Sequence, residues 1–168
     1  VVDSISEYGY NLDDRDTELM KSTYEELKNI LNSDEIDYEK YADTLARLFV
    51  IDLFTMNNKI NKYDVGGTEY VYPDAIENFK LNVEDTIYKH MENNSSGKRK
   101  QNLPEVSSID VLSAEVGEYT IGDTDTFDAY IVDLAWEYAS DLGYDDNATV
   151  TLVKMEDKLY VVEYAVGE

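Results

Sequence analysis

The chain has 168 residues, with 37 acidic side chains against 14 basic ones, a formal charge of −23, one histidine and no cysteine. Its aromatic content of 12%, carried mostly by 15 tyrosines, is too high for a disordered acidic tail, and its length suits one domain of about 150 residues. The missing cysteine removes disulfides, thiol nucleophiles and zinc–thiolate sites. No run approaches the ~20 apolar residues of a membrane helix, and nucleic acid is not an expected partner, because the positive charge that phosphate binding needs is absent.

The first half reads as helices. From Asp14 to Leu31, the residues Leu19, Met20, Tyr24, Leu27, Ile30 and Leu31 recur at three- and four-residue steps and share one face. Asp13, Asp14 and Asp16 crowd its start, where side-chain oxygens cap free amides. A second helix is expected from Tyr38 to Met56 with Asp37 as N-cap, its broad apolar face marking it as the most buried. Asn57, Asn58, Asn61 and the pair Gly66-Gly67 break the period, and Thr68–Tyr72 alternates like a short strand. A third helix is expected to start at Pro73, whose missing amide suits the first helical position, and to carry Ile76, Phe79, Val83, Ile87 and Met91 on one stripe. The polar stretch Asn94 to Pro104 holds the basic run Lys98-Arg99-Lys100 and reads as an exposed loop.

Beyond it the pattern changes to strands. Ile109 to Val116 is apolar with polar interruptions, and Gly117 or Gly122 marks a bend. Thr149–Val153 and Leu159–Tyr164 are rich in β-branched and aromatic residues, with a tight connection at Glu156-Asp157. Phe127 to Ala139 fits two periods. As a helix it carries Phe127, Tyr130, Ile131, Leu134 and Tyr138 on a stripe; as a strand, Tyr130, Val132, Leu134, Trp136 and Tyr138 form one apolar face. Five apolar residues at alternate positions favour the strand.

Helices followed by long antiparallel strands ending in a hairpin resemble the NTF2-like (cystatin-like) superfamily. The run from Ala148 to Tyr164 (ATVTLVKMEDKLYVVEY) is similar to the closing hairpin of bacterial extracytoplasmic members. The resemblance implies an α+β fold, with N-terminal helices packed on a curved antiparallel sheet that forms a cone with a pocket. It implies one domain over 1–168, with a helical half over about 13–93 and a strand half over about 107–166. It does not imply a chemistry, because this fold hosts isomerases, dehydratases and many non-catalytic modules.

Few constellations point to catalysis. His90 lies on the third helix without a carboxylate suitably spaced to orient it, and no nucleophile elbow, phosphate loop or dinucleotide fingerprint is present. Asp133, among apolar neighbours in the central strand, is the one candidate general base, but it falls on the face opposite Tyr130 and Trp136. Asp123, Asp125 and Asp128 imitate the start of a calcium loop, yet Asp128 and Leu134 stand where glycine and glutamate are required. Asn94 and Asn147 fit the glycosylation pattern, which arises often by chance. Tyr8, Tyr10, Tyr63, Tyr70 and Tyr72 fall near segment ends, where tyrosine serves either a core boundary or recognition.

The expectation is therefore a non-enzymatic module binding a protein or small ligand, with Tyr130, Trp136 and Tyr138 on the concave face as ligand contacts and with no catalytic residue, metal or cofactor. The alternative is a pocket enzyme of the isomerase or dehydratase kind. The acidic, thiol-free composition suits the outside of a bacterial cell, the cytoplasm being the alternative. The chain opens on Val1, so any signal peptide or lipid anchor, the one expected route to a membrane, lies upstream.

Overall fold

The computed structural model describes residues 1–167. A small antiparallel hairpin of β1 (Asp3–Ile5) and β2 (Tyr10–Leu12) opens the chain, followed by helices α1 (Glu18–Leu31), α2 (Tyr38–Phe54) and α3 (Ile76–Asp85). Strands β3 (Val106–Ile121), β4 (Asp125–Tyr138), β5 (Asn147–Met155) and β6 (Lys158–Val166) then form one antiparallel sheet in that order. The fold is α+β, with the helices packed on one face of the sheet, and Phe127 to Ala139 belongs to a strand for all but its last residue.

The core is built around α2. Asp37 caps it, Oδ1 accepting from the amides of Glu39 (3.1 Å) and Lys40 (3.2 Å). Tyr41, Leu45, Leu48, Phe49, Leu53 and Phe54 are among its buried residues, and the apolar face of β4 closes over them, Phe54 packing 5.0 Å from the Trp136 ring. On the N-terminal side Tyr10 and Tyr41 share a hydroxyl–hydroxyl contact of 2.5 Å. Tyr10 donates to the Leu159 carbonyl (3.2 Å), and the Leu159 amide donates to Tyr41 (3.2 Å), so two buried phenols fasten β2 and α2 to β6. Helix α1 is tied to α2 by a bidentate Arg47–Glu26 pair at 3.0 and 2.9 Å.

Several expectations need correction. The N-cap of α1 is Thr17, accepting from the Met20 amide, whereas Asp16 turns back to the Asp13 amide at 2.8 Å and spends its capping oxygen there. Thr68–Tyr72 is not a strand. Residues 68–70 form a 3₁₀ turn that drives Tyr70 into the core, and the segment meets the sheet only beyond it, through a parallel bridge of Val71 to Val161 and a hydrogen bond from the Tyr72 amide to the Val161 carbonyl. Helix α3 ends at Asp85 because Tyr88 turns inward; Ile87 and Met91 follow in turns beyond it.

The sheet is bent. Register shifts fall at Val106/Ser108 and Val111/Ser113 in the β3–β4 pairing and at Thr151/Leu152 in the β5–β6 pairing. Glu163 registers through Thr151 and Ile131 to Glu115, yet the Tyr119 hydroxyl, four residues further along β3, reaches Glu163 at 3.4 Å. A flat sheet would hold those two backbones roughly 19 Å apart, given about 4.8 Å per strand and 3.3 Å per residue, so the end of the β3–β4 hairpin curls across the outer face. Ala129, Thr151 and Val153, which point away from the helices, are buried on that side.

Gly66 and Gly67 seat the chain on the end of α2. A Cβ on Gly66 would lie 2.0 Å from the Asp52 carbonyl oxygen; one on Gly67, at φ +82°, would lie 2.8 Å from Phe49 Cδ1. Gly66→Ala is therefore expected to cost on the order of 3–5 kcal/mol. Gly97→Ala, at φ +75° with open space around it, is expected to cost only about 1 kcal/mol. Urea unfolding of the two variants measures the contrast, and similar midpoints would contradict it.

Candidate functional site

A cleft of about 630 Å³ opens between α3 with its following turn, on one side, and β6 with the β4–β5 connection on the other. Phe54, Ile87, Tyr164 and Val166 supply apolar lining, and Asn82, His90 and Asp145 supply polar groups. A second opening of about 380 Å³, lined by Val71, Phe79 and Val161, shares Asn82 and Tyr164 with the first. Together they form a groove along α3 with a size and lining that suit a small molecule.

Two phenols hold its walls in place. Tyr88 donates to the Leu53 carbonyl at 2.6 Å and accepts from the Gly66 amide at 3.2 Å, fixing the chain after α3 to the end of α2. Burial raises the Tyr88 hydroxyl well above its ordinary pKa, so it remains a donor at all physiological pH. On the opposite wall Tyr138 donates to the Asp145 carbonyl and pins the β4–β5 connection. Tyr164, within the groove, is pushed up to about 12 by burial and is likewise a neutral hydroxyl.

The sequence-derived candidates lie around this groove rather than in it. Trp136 is buried behind Phe54, which separates it from the opening. Tyr138 acts through the loop it anchors. Tyr130 is half-buried at the other end of α2, where burial, with Asp128, Glu39 and Asp37 nearby, raises its hydroxyl above the ordinary pKa. All three belong to the helix-facing side of β4, as the alternation implied, but that side is largely filled by α2. The groove opens instead beside α3, and its residues come from five separate stretches. Ile87 belongs to the expected helix stripe and Tyr164 to the expected last strand, but nothing in their spacing places them together.

Asp133 lies on the outer face, accepting from Thr149 Oγ1 at 2.5 Å and Ser113 Oγ at 2.8 Å. These bonds hold its carboxyl below the usual carboxylate range, the opposite of what a general base at neutral pH needs. Asp123 lies in the β3–β4 turn and Asp125 opens β4, and no cluster of three or more His, Asp or Glu side chains able to hold a metal is found among the described residues. Of the end-of-segment tyrosines, Tyr10 and Tyr70 are core residues, whereas Tyr63 is 62% exposed. Arg99 is not a free surface cation: it donates to the carbonyls of Lys59 (2.9 Å), Glu92 (3.0 Å) and Asn57 (3.2 Å).

A smaller hollow of about 250 Å³ is polar, lined by Asp13, Arg15, Asp16, Asp52, Lys59 and Glu69 among others. Lys59 is 5% exposed, its ammonium donating to Asp52 Oδ1 (3.0 Å), the Thr55 carbonyl (2.8 Å) and Asn58 Oδ1 (2.8 Å), while Asp52 Oδ2 accepts from the Gly67 amide at 2.7 Å. The charge is fully paired, as burial demands. Glu69 is different: burial pushes it up to about 7, with the Asn11 amide (3.3 Å) as its hydrogen-bond donor. The Tyr70 hydroxyl lies beside Glu69, buried, without closing a hydrogen bond.

Comparison of the chain with protein-family models, curated proteins and solved structures finds no match in any of the three.

Glu69 gives the molecule a specific pH response. Its folded pKa, about 7, lies above the ordinary glutamate value of 4.5, so its contribution is fully present below about pH 4.5 and is lost as pH rises through about 7. Urea unfolding at pH 5 and pH 8 is expected to show the native chain losing on the order of 1–3 kcal/mol more than Glu69→Gln over that interval. Equal losses in the two proteins would refute the assignment.

Proposed function

We propose that this chain is a non-catalytic binding module that takes a small molecule with an apolar body in the groove between α3 and the sheet. The observation that carries the reading is the groove itself: two adjoining openings of about 630 and 380 Å³, joined at Asn82 and Tyr164, with walls held by Tyr88 and Tyr138. The polar groups of Asn82, His90 and Asp145 give an entering molecule hydrogen-bond partners at its edge. The net charge of −23 disfavours anionic ligands and favours neutral or cationic ones. The likeness in element order to extracytoplasmic NTF2-like modules supports a binding role and a location outside the bacterial cytoplasm; it supports nothing finer.

A neutral solvatochromic dye, Nile red, tests this. The single tryptophan, Trp136, packs behind Phe54, which lines the groove, and reports occupancy through that ring. Saturable binding with a Kd on the order of 10 μM, accompanied by quenching of Trp136, is expected. Asn82→Phe, on an exposed position shared by both openings, is expected to weaken it about tenfold. Absence of saturable binding, or binding unchanged by Asn82→Phe, would refute the proposal.

The enzyme alternative has one observation in its favour, and it lies in the polar hollow rather than the groove. Glu69, near neutrality, is the kind of carboxyl that abstracts a proton from carbon, and Tyr70 stands next to it. That reading predicts deuterium uptake from D₂O into a simple ketone, abolished in Glu69→Gln; no uptake above buffer would eliminate it.

A further inference from the structure

The two edges of the main sheet are unlike each other. The β6 edge is met by the segment after the Gly66-Gly67 turn, where Val71 bridges Val161 and the Tyr72 amide donates to the Val161 carbonyl at 2.9 Å. The start of the β3 edge is also occupied: the Val106 amide donates to Thr55 Oγ1 at 3.2 Å, and the preceding Pro104 carbonyl accepts from Met56 and Asn57. From Ser113 to Ile121, however, β3 pairs only with β4 among the described residues, and the pairing is without a register shift over that run. Every second residue there directs its amide and carbonyl away from the sheet.

Long open edges are normally blunted by lysine, proline or a bulge. The run Ser113–Ile121 (SAEVGEYTI) contains none of these, the register shift at Val111/Ser113 lying just before it, and Val116 within the run is 63% exposed, as is Leu112 at the shift at 66%. What it does carry is negative charge. Glu115 and Glu118 lie on opposite faces of the strand, Asp110 precedes them, and Asp123, Asp125 and Asp128 stand at the hairpin end. A second copy pairing edge to edge would set these carboxylates against their own kind, on a chain already at −23. Repulsion therefore protects the edge against self-association while leaving its backbone available to a strand of opposite charge.

We propose that residues 113–121 of β3 accept an extended, lysine- or arginine-bearing peptide segment as a fifth strand. Its main chain pairs with the open amides and carbonyls, its apolar residues cover Ala114 and Val116 on one face, and its cations meet Glu115 on the other, with Glu118 adding to the negative field along the edge. This surface is separate from the groove along α3, and the proposal does not depend on the groove's ligand.

The test uses the whole chain and a labelled peptide of alternating lysine and valine, long enough to span residues 113–121. Two companions serve as controls: the same peptide with alternate backbone amides N-methylated, and an alternating glutamate–valine peptide. Anisotropy at physiological salt is expected to show binding of the first peptide at least about tenfold tighter than either control. Hydrogen exchange is expected to slow at 113–121. The double variant Glu115→Lys/Glu118→Lys, which keeps the strand's backbone intact, is expected to reverse the preference between the lysine and glutamate peptides. Equal binding of the N-methylated peptide would reduce the effect to bulk charge and overturn the proposal. Protection appearing at β6 or along the groove would overturn it as well, as would protection of 113–121 that rises with protein concentration without any peptide.

Discussion

An α-helix that ends inside a protein leaves carbonyl oxygens that must find donors, and α2 ends in the middle of this one. No glycine continues it into a self-satisfying cap; Thr55 follows in an extended conformation. Donors therefore arrive from elsewhere in the sequence. Tyr88 supplies its hydroxyl to Leu53, Lys59 supplies its ammonium to Thr55, and Arg99 supplies its guanidinium to Asn57 and Lys59 just beyond. Each has a consequence larger than the bond itself. Seating Tyr88 ends α3 and turns the chain along the groove, and burying Lys59 requires Asp52, which in turn fixes the Gly66-Gly67 turn.

The groove follows from this arrangement. Because α2 fills most of the helix-facing side of the sheet, α3 cannot lie in the middle of that face and packs beside α2 against the last strand, with Phe49, Phe79 and Tyr164 in mutual ring contact. The space left between α3 and the β4–β5 connection is bounded by main chain held at both ends. An opening whose walls are hydrogen-bonded to the core is preorganised, so a ligand entering it does not have to bear the entropy of ordering its walls. The polar hollow on the far side of the same turn is built differently, with its buried cation, Lys59, already matched to acceptors and with burial raising the acids Asp16 and, to about 7, Glu69.

The sequence reads clearly where local pattern and tertiary environment agree. Asp37 is a cap whose role needs only the next few residues, and the alternation from Tyr130 to Tyr138 survives because one whole face of β4 meets α2. It misleads where a distant partner overrides the pattern. Thr68–Tyr72 has strand composition, but Gly67 and the inward pull on Tyr70 make it a turn; the stripe through Ile87 and Met91 has helical spacing, but the Tyr88 hydroxyl breaks the helix to reach Leu53. The same logic explains why the candidate ligand contacts lie beside the groove. Trp136 and Tyr138 are on the face the alternation indicates, but whether that face is open or filled depends on α2, and no spacing in β4 encodes it. Their roles are one layer back, in the wall and its anchor.

Hydrogen exchange on the Tyr88→Phe variant tests the dependence of the groove on the buried helix end most directly. Removing one oxygen leaves the ring's packing intact but takes the donor from Leu53 and the acceptor from Gly66. The account predicts faster exchange confined to Gly66 and residues 82–90, with the β4–β5–β6 pairing unchanged. Exchange at Gly66 and residues 82–90 identical to the native chain would contradict it.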